Sequence, residues 1–266
     1  MDKYFSYNDR QGYYTDEGDG ETILFVHGFA EDGNLWRHFS QGFPGYRHII
    51  PDLPGFGGSE LAAEELTVEL MADFVYALLA RENVKKIHYV GHSMGGYAGL
   101  AFAEKHPDML KSFTLFHSHP FADSAEKREN RLRSIAIIEK HGTGIYMREL
   151  YNNLFGEGFL RKNTDFVEEK IREAQQYPVK AVQAALKAMA LRPDRSGVLK
   201  TIGAPVLFII GKDDKAIPHD KSIGQTVLPP ACEVEILEGT GHMGMYEKGE
   251  KCQEIVRNFI KSPLIV

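Results

Sequence analysis

The pentapeptide Gly91-His92-Ser93-Met94-Gly95 constrains the fold of this chain more than any other feature. A β-branched and aromatic segment, 86–90, precedes it, and a helix-like segment, 96–103, follows it. In a G-x-S-x-G motif between a strand and a helix, the serine lies on a sharp, strained turn. A side chain at either glycine would collide with the neighbouring turn, and the helix start offers N–H groups suited to an oxyanion. The pattern therefore predicts an exposed, nucleophilic Ser93.

Strand and helix patterns alternate over both ends of the chain, as in proteins with a mostly parallel sheet and right-handed crossovers. The predicted strands are a hairpin of two over 3–16, followed by 22–26, 46–51, 86–90, 112–117, 205–210 and 232–237. Thr67 is a good N-cap for a helix before the fifth strand, and a helix over 247–261 ends the pattern. The sequence thus predicts an α/β fold with an eight-stranded, mostly parallel sheet flanked by helices.

The alternation stops after the sixth strand, where residues 121–196 contain only helical patterns, broken at Gly142, Gly156 and Pro178. Open α/β sheets place their sites at the carboxyl ends of the strands. We therefore expect residues 121–196 to form a helical cap over those ends, and residues 1–120 and 197–266 to form the core domain.

Composition excludes several classes of partner. A formal net charge of -6 leaves no basic field for nucleic acid. No apolar run reaches the ~18 residues of a membrane span, and the first residues lack a signal-peptide core. Cys232 and Cys252 fit reduced thiols better than a disulfide, so we expect a cytoplasmic protein with a small-molecule substrate. No feature predicts an oligomeric state.

A serine hydroxyl needs a base to take its proton, and a third group must orient that base. Two loops after late strands offer these partners in the chain order Ser, Asp, His. Glycines bracket His242 in the loop 238–243, from which it can reach the serine. The acid lies in the loop 211–218, as Asp213 or Asp214.

Asp214 is favoured as the acid because the more distal carboxylate in such a loop points back toward the sheet. Asp213 then serves as a local turn cap. Asp123, just beyond the sixth strand, is an outside candidate.

Two backbone N–H groups are needed to hold an oxyanion. The N–H of Met94, directly after the serine, is one predicted donor. The N–H of Phe29, in the loop after the third strand, is the other, with Gly28 allowing close approach of the backbone. The alternative is that residues 27–28 form a plain turn at a strand end.

Apolar and aromatic residues near the predicted site could line an acyl pocket or could instead pack as core. The candidate pocket residues are His27, Trp36, Phe121, Met147 and Phe155. Met189 is expected to bury against the sheet. His117 and His119 give too few ligands for a metal, so we predict no metal and no organic cofactor.

The chain closely resembles the α/β-hydrolase superfamily in five segments that run in family order. These are His27-Gly28-Phe29, Asp52-Leu53-Pro54-Gly55-Phe56-Gly57, Gly91-His92-Ser93-Met94-Gly95-Gly96, Gly211-Lys212-Asp213-Asp214 and Gly241-His242. The resemblance implies a cap between strands six and seven. It also implies Asp214 as the acid, since the family's acid usually lies three residues after the glycine of strand seven.

Departures from family patterns narrow the activity. Ser93 argues against epoxide hydrolases and haloalkane dehalogenases, which place aspartate at the elbow. Carbon–carbon hydrolases usually carry a Gly-Pro-Gly turn in the oxyanion loop, where this chain has residues 29–33, Phe-Ala-Glu-Asp-Gly. The segment 122–131 resembles the corresponding cap segment of esterases and enol-lactonases.

The resulting hypothesis is a serine hydrolase that cleaves a small or medium carboxylic ester through an acyl-enzyme on Ser93. The same residues would serve a lactone hydrolase, a thioester hydrolase or a cofactor-free perhydrolase. The non-enzymatic alternative is a ligand-binding receptor on this scaffold.

Overall fold

The computed structural model describes residues 1–63 and 65–261. Its strands form one eight-stranded sheet in the order β1-β2-β4-β3-β5-β6-β7-β8. The strands are β1 (Asp2–Tyr7), β2 (Arg10–Glu17), β3 (Glu21–Val26), β4 (Tyr46–Pro51), β5 (Ile87–His92), β6 (Leu110–Phe116), β7 (Val206–Gly211) and β8 (Cys232–Leu237). Strand β2 pairs antiparallel with β1 and β4, and all other neighbours are parallel. The predicted α/β fold with a mostly parallel sheet is confirmed.

The central strands are buried along their length because helices cover both faces of the sheet. Every residue of β5 and β7 is buried, and so is β3 beyond Glu21. These strands are the continuous apolar runs of the sequence, which is the pattern that such burial requires.

Six of the helices that the structure describes lie outside the segment between β6 and β7. They are α1 (Asn34–Ser40), α2 (Val68–Arg81), α3 (Met94–Lys105), α10 (His219–Gly224), α11 (Gly244–Glu247) and α12 (Gly249–Lys261). The Thr67 hydroxyl caps α2 as predicted, accepting the Leu70 N–H at 3.0 Å. The helix expected over 247–261 is α12, which begins two residues later, because Lys248 leaves helical backbone with φ -143° at the end of α11.

Only helices lie between β6 and β7. They are α4 (Ala125–His141), α5 (Gly144–Leu154), α6 (Glu157–Lys162), α7 (Thr164–Ala174), α8 (Val179–Leu191) and α9 (Ser196–Thr201). Helix α4 packs along α8, and α5 packs on α7. Most of α4 stays exposed, with Ile138 as its buried residue.

Every helix in the ranges 1–63 and 65–261 is too short or too polar to cross a bilayer. Cys232 and Cys252 are free thiols.

Candidate active site

Ser93 occupies the single position between the end of β5 and the start of α3. Its φ of +48° lies in the left-handed region, which is strained for a residue with a side chain. A Cβ on Gly91 would lie 2.7 Å from the Gly95 oxygen, and one on Gly95 would lie 2.6 Å from the His27 oxygen. Both glycines are therefore required by backbone contacts, as the motif predicted.

We expect Gly95→Ala to lower the free energy of unfolding by about 1–3 kcal/mol or more. The added methyl group would collide with the backbone of Val26 and His27, which cannot move aside. Gly158→Ala is the matched control, since a Cβ there meets open space in α6. That variant should be neutral or more stable by about 0.5–1 kcal/mol. Urea unfolding of both variants measures the difference. Equal midpoints would contradict the steric account of the elbow.

The imidazole of His242 and the carboxylate of Asp214 are in contact, with 2.6 Å between Nδ1 and Oδ2. Both side chains are buried. The other carboxylate oxygen, Oδ1, accepts the N–H groups of Ala216 and Ile217 at 2.8 and 2.9 Å. Since a carboxylate only accepts, Nδ1 of His242 carries the proton and Nε2 is left to act as a base.

The electrostatics keep Asp214 ionised. Burial alone would raise the pKa of its carboxyl group, but the His242 ring and the backbone N–H bonds outweigh burial and lower it. Asp213, the neighbouring candidate, is exposed, and its backbone N–H donates to the Thr240 oxygen. Asp123 is held by two arginines, Arg131 and Arg192. Of the three candidate acids, the structure brings Asp214 to the histidine.

Ser93 and His242 both line one cavity of about 250 Å³ at the carboxyl ends of the strands. Among the residues that the structure describes, the Ser93 hydroxyl has no hydrogen-bond partner. Hydrogen bonds between a nucleophile and its base are often long before substrate binds. Ser93 and His242 border the same cavity, which is the arrangement that the sequence predicted.

The predicted oxyanion donors lie at the same end of the sheet. Phe29 follows β3 and lines the cavity, and Met94 opens α3. As the first helical residue, Met94 has no acceptor for its N–H within its own helix. The loop after β3 is held by Tyr151, whose hydroxyl donates to the Ala30 oxygen at 2.6 Å. Ala30 itself has φ +58°.

A buried Glu31–His92 pair beside the serine was not predicted. Nδ1 of His92 lies 2.8 Å from Glu31 Oε2, and its Nε2 lies 3.0 Å from the His242 carbonyl oxygen. The same Glu31 oxygen accepts the Gly28 N–H at 2.7 Å. The pair thus ties the loop after β3 to the elbow and to the backbone of His242. The only sequence signal was an acid in a glycine-containing loop, which is too common to be informative.

Both ring nitrogens of His92 face acceptors, so the imidazole serves both only as a cation. Burial acts to lower the pKa of His92, but Glu31 and the His242 carbonyl outweigh it and raise that pKa. Burial likewise acts to raise the pKa of Glu31, and His92 reverses this. The two groups form a buried ion pair.

We expect Glu31→Gln to cost about 3–5 kcal/mol of unfolding free energy, the usual loss when one partner of a buried pair is removed. Glu168→Gln is the control, because Glu168 pairs with Arg148 at the surface. Water and salt screen exposed pairs, so the loss in Glu168→Gln should be far smaller than the loss in Glu31→Gln. Urea denaturation gives both values, and equal losses would show that the buried pair is not charged.

The loss in Glu31→Gln should depend on pH. The folded-state pKa of His92 lies above its usual 6.5, so its contribution is complete below pH 6.5 and is lost as pH rises through the raised pKa. The folded-state pKa of Glu31 lies below its usual 4.5, so its contribution is complete above pH 4.5 and is lost as pH falls. The difference from wild type should be largest between these two values.

The structure places none of the five predicted pocket residues on the cavity wall. Trp36, Met147 and Phe155 are fully buried core residues, with Trp36 packed on Phe25. The His27 ring accepts the Leu53 N–H at 2.8 Å, and Phe121 stacks on His119.

The apolar wall consists instead of Phe29, Tyr97, Leu150, Leu154, Met189 and Ile217. Met189 was expected to bury against the sheet, and it faces the cavity. The physical reason is that helical spacing identifies an apolar face but not the element that covers it.

His117 and His119, which follow the sixth strand, both form hydrogen bonds within the protein. His117 lies between the backbone N–H groups of Gly211 and Gly244, and the His119 ring accepts the Phe121 N–H. Over residues 1–63 and 65–261, His, Cys, Asp and Glu side chains form no group of three that could hold a metal ion.

A serine on a strand-to-helix turn of a mostly parallel sheet, sharing a cavity with a histidine–aspartate pair, defines the class of α/β-fold hydrolases. Comparison with known proteins agrees. The family model for the alpha/beta hydrolase fold matches residues 21–136. A thermophilic esterase from Thermogutta terrifontis is 30% identical, with a TM-score of 0.90 over 95% of this chain and 93% of that chain. This chain belongs to the α/β-hydrolase superfamily, and it is a hydrolase.

More distant relatives have varied activities. The 2-hydroxy-6-oxononadienedioate/2-hydroxy-6-oxononatrienedioate hydrolase 1 of Dechloromonas aromatica (strain RCB) is 25% identical over 95% of this chain and 91% of its own length. The enol-lactonase from Burkholderia xenovorans LB400 shares the fold, with a TM-score of 0.89 at 18% identity over 98% of this chain and all of that chain.

Proposed function

We propose that this chain is a serine hydrolase that cleaves a small or medium carboxylic ester through an acyl-enzyme formed on Ser93. The observation that carries the proposal is that His242, which lines the same cavity as Ser93, contacts Asp214 at 2.6 Å. The esterase relative at 30% identity supports the same chemistry.

In this mechanism the Ser93 oxygen attacks the ester carbonyl carbon while its proton passes to Nε2 of His242. Asp214 holds the ring in the required tautomer and stabilises the imidazolium. The N–H groups of Phe29 and Met94 bind the oxyanion. Collapse breaks the ester C–O bond, and His242 returns the proton to the leaving alcohol. Water then attacks the acyl-enzyme while His242 takes its proton. The bond to Ser93 breaks, the carboxylic acid is released, and Ser93 regains its proton from His242.

We further propose that residues 121–196 act as a helical cap on a core formed by 1–120 and 197–266. In support, Leu150 and Leu154 of α5 and Met189 of α8 contribute to the cavity wall. These helices lie between β6 and β7 in the chain, so their packing sets the shape of the cavity.

The cavity volume of about 250 Å³ favours a small substrate, since pockets for drug-sized ligands measure about 300–1,000 Å³. A lactone, a thioester or a peracid-forming reaction would use the same triad. The two free thiols support the prediction of a cytoplasmic location, where cysteines stay reduced.

Carbon–carbon bond hydrolysis is a second candidate, because the Dechloromonas relative named for that class of substrate aligns along nearly the whole chain. The loop 29–33, which lacks a Gly-Pro-Gly turn, favours the ester instead. Turnover of 2-hydroxy-6-oxononadienedioate compared with ethyl butyrate decides between them. A higher kcat/KM for the dienedioate would replace the ester assignment.

A fluorophosphonate probe tests the nucleophile directly. We expect stoichiometric labelling of Ser93 in the folded protein and loss of ester hydrolysis in proportion to labelling. A panel of esters, lactones and thioesters of graded acyl length then ranks the substrates. Labelling elsewhere, or none, would exclude the proposed mechanism.

A further inference from the structure

The cavity that contains Ser93 has a positively charged wall. Lys127 and Arg131 of α4 and Lys215 of the loop after β7 all line it. This local excess contrasts with the whole chain, whose net charge is -6. The charge of the wall is therefore a local property of the cavity.

Lys127 is a largely buried cation of this wall. Its ammonium group donates to the Ala216 oxygen at 2.8 Å. An ammonium group has three N–H donors, and the hydrogen bonds of the described residues use one. Burial and the neighbouring guanidinium group of Arg131 lower the pKa of Lys127 to about 8, so it is charged at neutral pH.

The protein itself does not neutralise this wall. Asp123 is the nearby carboxylate, and it already binds Arg131 Nε at 2.6 Å and Arg192 Nη1 at 2.8 Å. Glu31, which also lines the cavity, is paired with His92. Asp123 is thus shared between two arginines, and the Lys127 ammonium group has no carboxylate partner among the described residues.

Cations held away from water are stabilised by a partner of opposite charge. The nitrogens of Arg131 other than Nε have no partner among the described residues, and a guanidinium group matches the two oxygens of a carboxylate. The same cavity is also lined by the apolar side chains of Leu150, Leu154 and Met189. The cavity therefore combines a serine, apolar side chains and cationic side chains.

We propose that the substrate of this hydrolase is an ester that also carries a carboxylate, which binds Lys127 and Arg131 while the ester carbonyl lies at Ser93. This inference rests on the proposed serine hydrolase function. It assigns Lys127 and Arg131 to substrate recognition rather than to the chemical step.

The test compares monoethyl adipate with ethyl hexanoate, which replaces the carboxylate by a methyl group, with acid release followed by pH-stat. Wild type should show a kcat/KM about 10- to 100-fold higher for monoethyl adipate, the range of a charge-assisted hydrogen bond. Lys127→Met and Arg131→Gln should each remove most of that preference through KM. The loss on ethyl hexanoate should be much smaller than the loss on monoethyl adipate in both variants.

Arg133→Gln is the matched control, because Arg133 lies on the same helix but is exposed and paired with Glu129. This substitution should leave kcat/KM unchanged for both esters. If Lys127→Met loses kcat/KM equally on both esters, Lys127 holds α4 against the Ala216 loop and does not recognise the carboxylate. Equal wild-type kcat/KM values for the two esters would overturn the inference.

The two proposals can fail separately. If neither ester turns over, protection of Ser93 from the fluorophosphonate becomes the readout, and monoethyl adipate should protect at lower concentration than ethyl hexanoate. Equal protection overturns the carboxylate inference alone. Failure of the probe to label Ser93 overturns the serine hydrolase proposal itself, and this inference with it.

Discussion

Ser93→Ala is expected to lower kcat for ester hydrolysis by about 10⁶-fold, the loss seen when a triad nucleophile is removed. The substitution deletes the oxygen that would form the acyl-enzyme, and water must then attack without covalent catalysis. The oxyanion donors remain, because they belong to the backbone of Phe29 and Met94. Residual activity over the uncatalysed reaction is therefore expected.

The measurement is a steady-state assay on ethyl butyrate, with thermal unfolding to show that the variant is folded. Alanine retains the Cβ at the left-handed backbone position, so the strain at the elbow is unchanged. Ser134→Ala is the control, since the Ser134 hydroxyl donates to the Asn130 oxygen within α4 and does not line the cavity. Ser93→Ala turnover within about tenfold of wild type would contradict the nucleophile assignment.

Asp214→Asn is expected to lower kcat by roughly 10⁴-fold. An amide in this position offers an N–H group toward Nδ1 of His242, which favours the tautomer that carries its proton on Nε2. That ring cannot accept the serine proton. The contacts from the Ala216 and Ile217 N–H groups can still be made to the amide oxygen, so the loop should keep its shape.

Asp213→Asn is the matched control, since Asp213 is the adjacent residue, is exposed, and holds the loop through its backbone N–H. Its kcat should stay within about threefold of wild type, and KM should be little changed in either variant because Asp214 does not line the cavity. A larger loss in Asp213→Asn would transfer the role of the acid to that residue.

Much of the fold was predictable because it follows from residue patterns within short segments of the sequence. Apolar runs without alternation mark strands buried on both faces, as in β3, β5 and β7. The elbow was predictable for a steric reason, since only glycine fits against backbone oxygens at positions 91 and 95. The order of the loops also placed Asp214 and His242 at one edge of the sheet.

The composition of the cavity was not predictable in the same way. His27, Trp36, Met147 and Phe155 have the residue types of a pocket wall, but burial within the core uses the same types. Lys127 and Arg131 occur in a mixed-charge segment that resembles a solvent-exposed helix face. Only the packing of α4 shows that these two line the cavity while Arg133 faces solvent.

The amino-acid order alone predicted the strands, the strained serine turn and the loops that carry the candidate histidine and acid, because those features follow from patterns within short segments. The tertiary structure alone decided that Glu31 meets His92 across 61 positions and that Lys127 and Arg131 of α4 line the cavity. Such contacts join segments far apart in the chain. They depend on how helices pack over the sheet, and no local pattern encodes that packing.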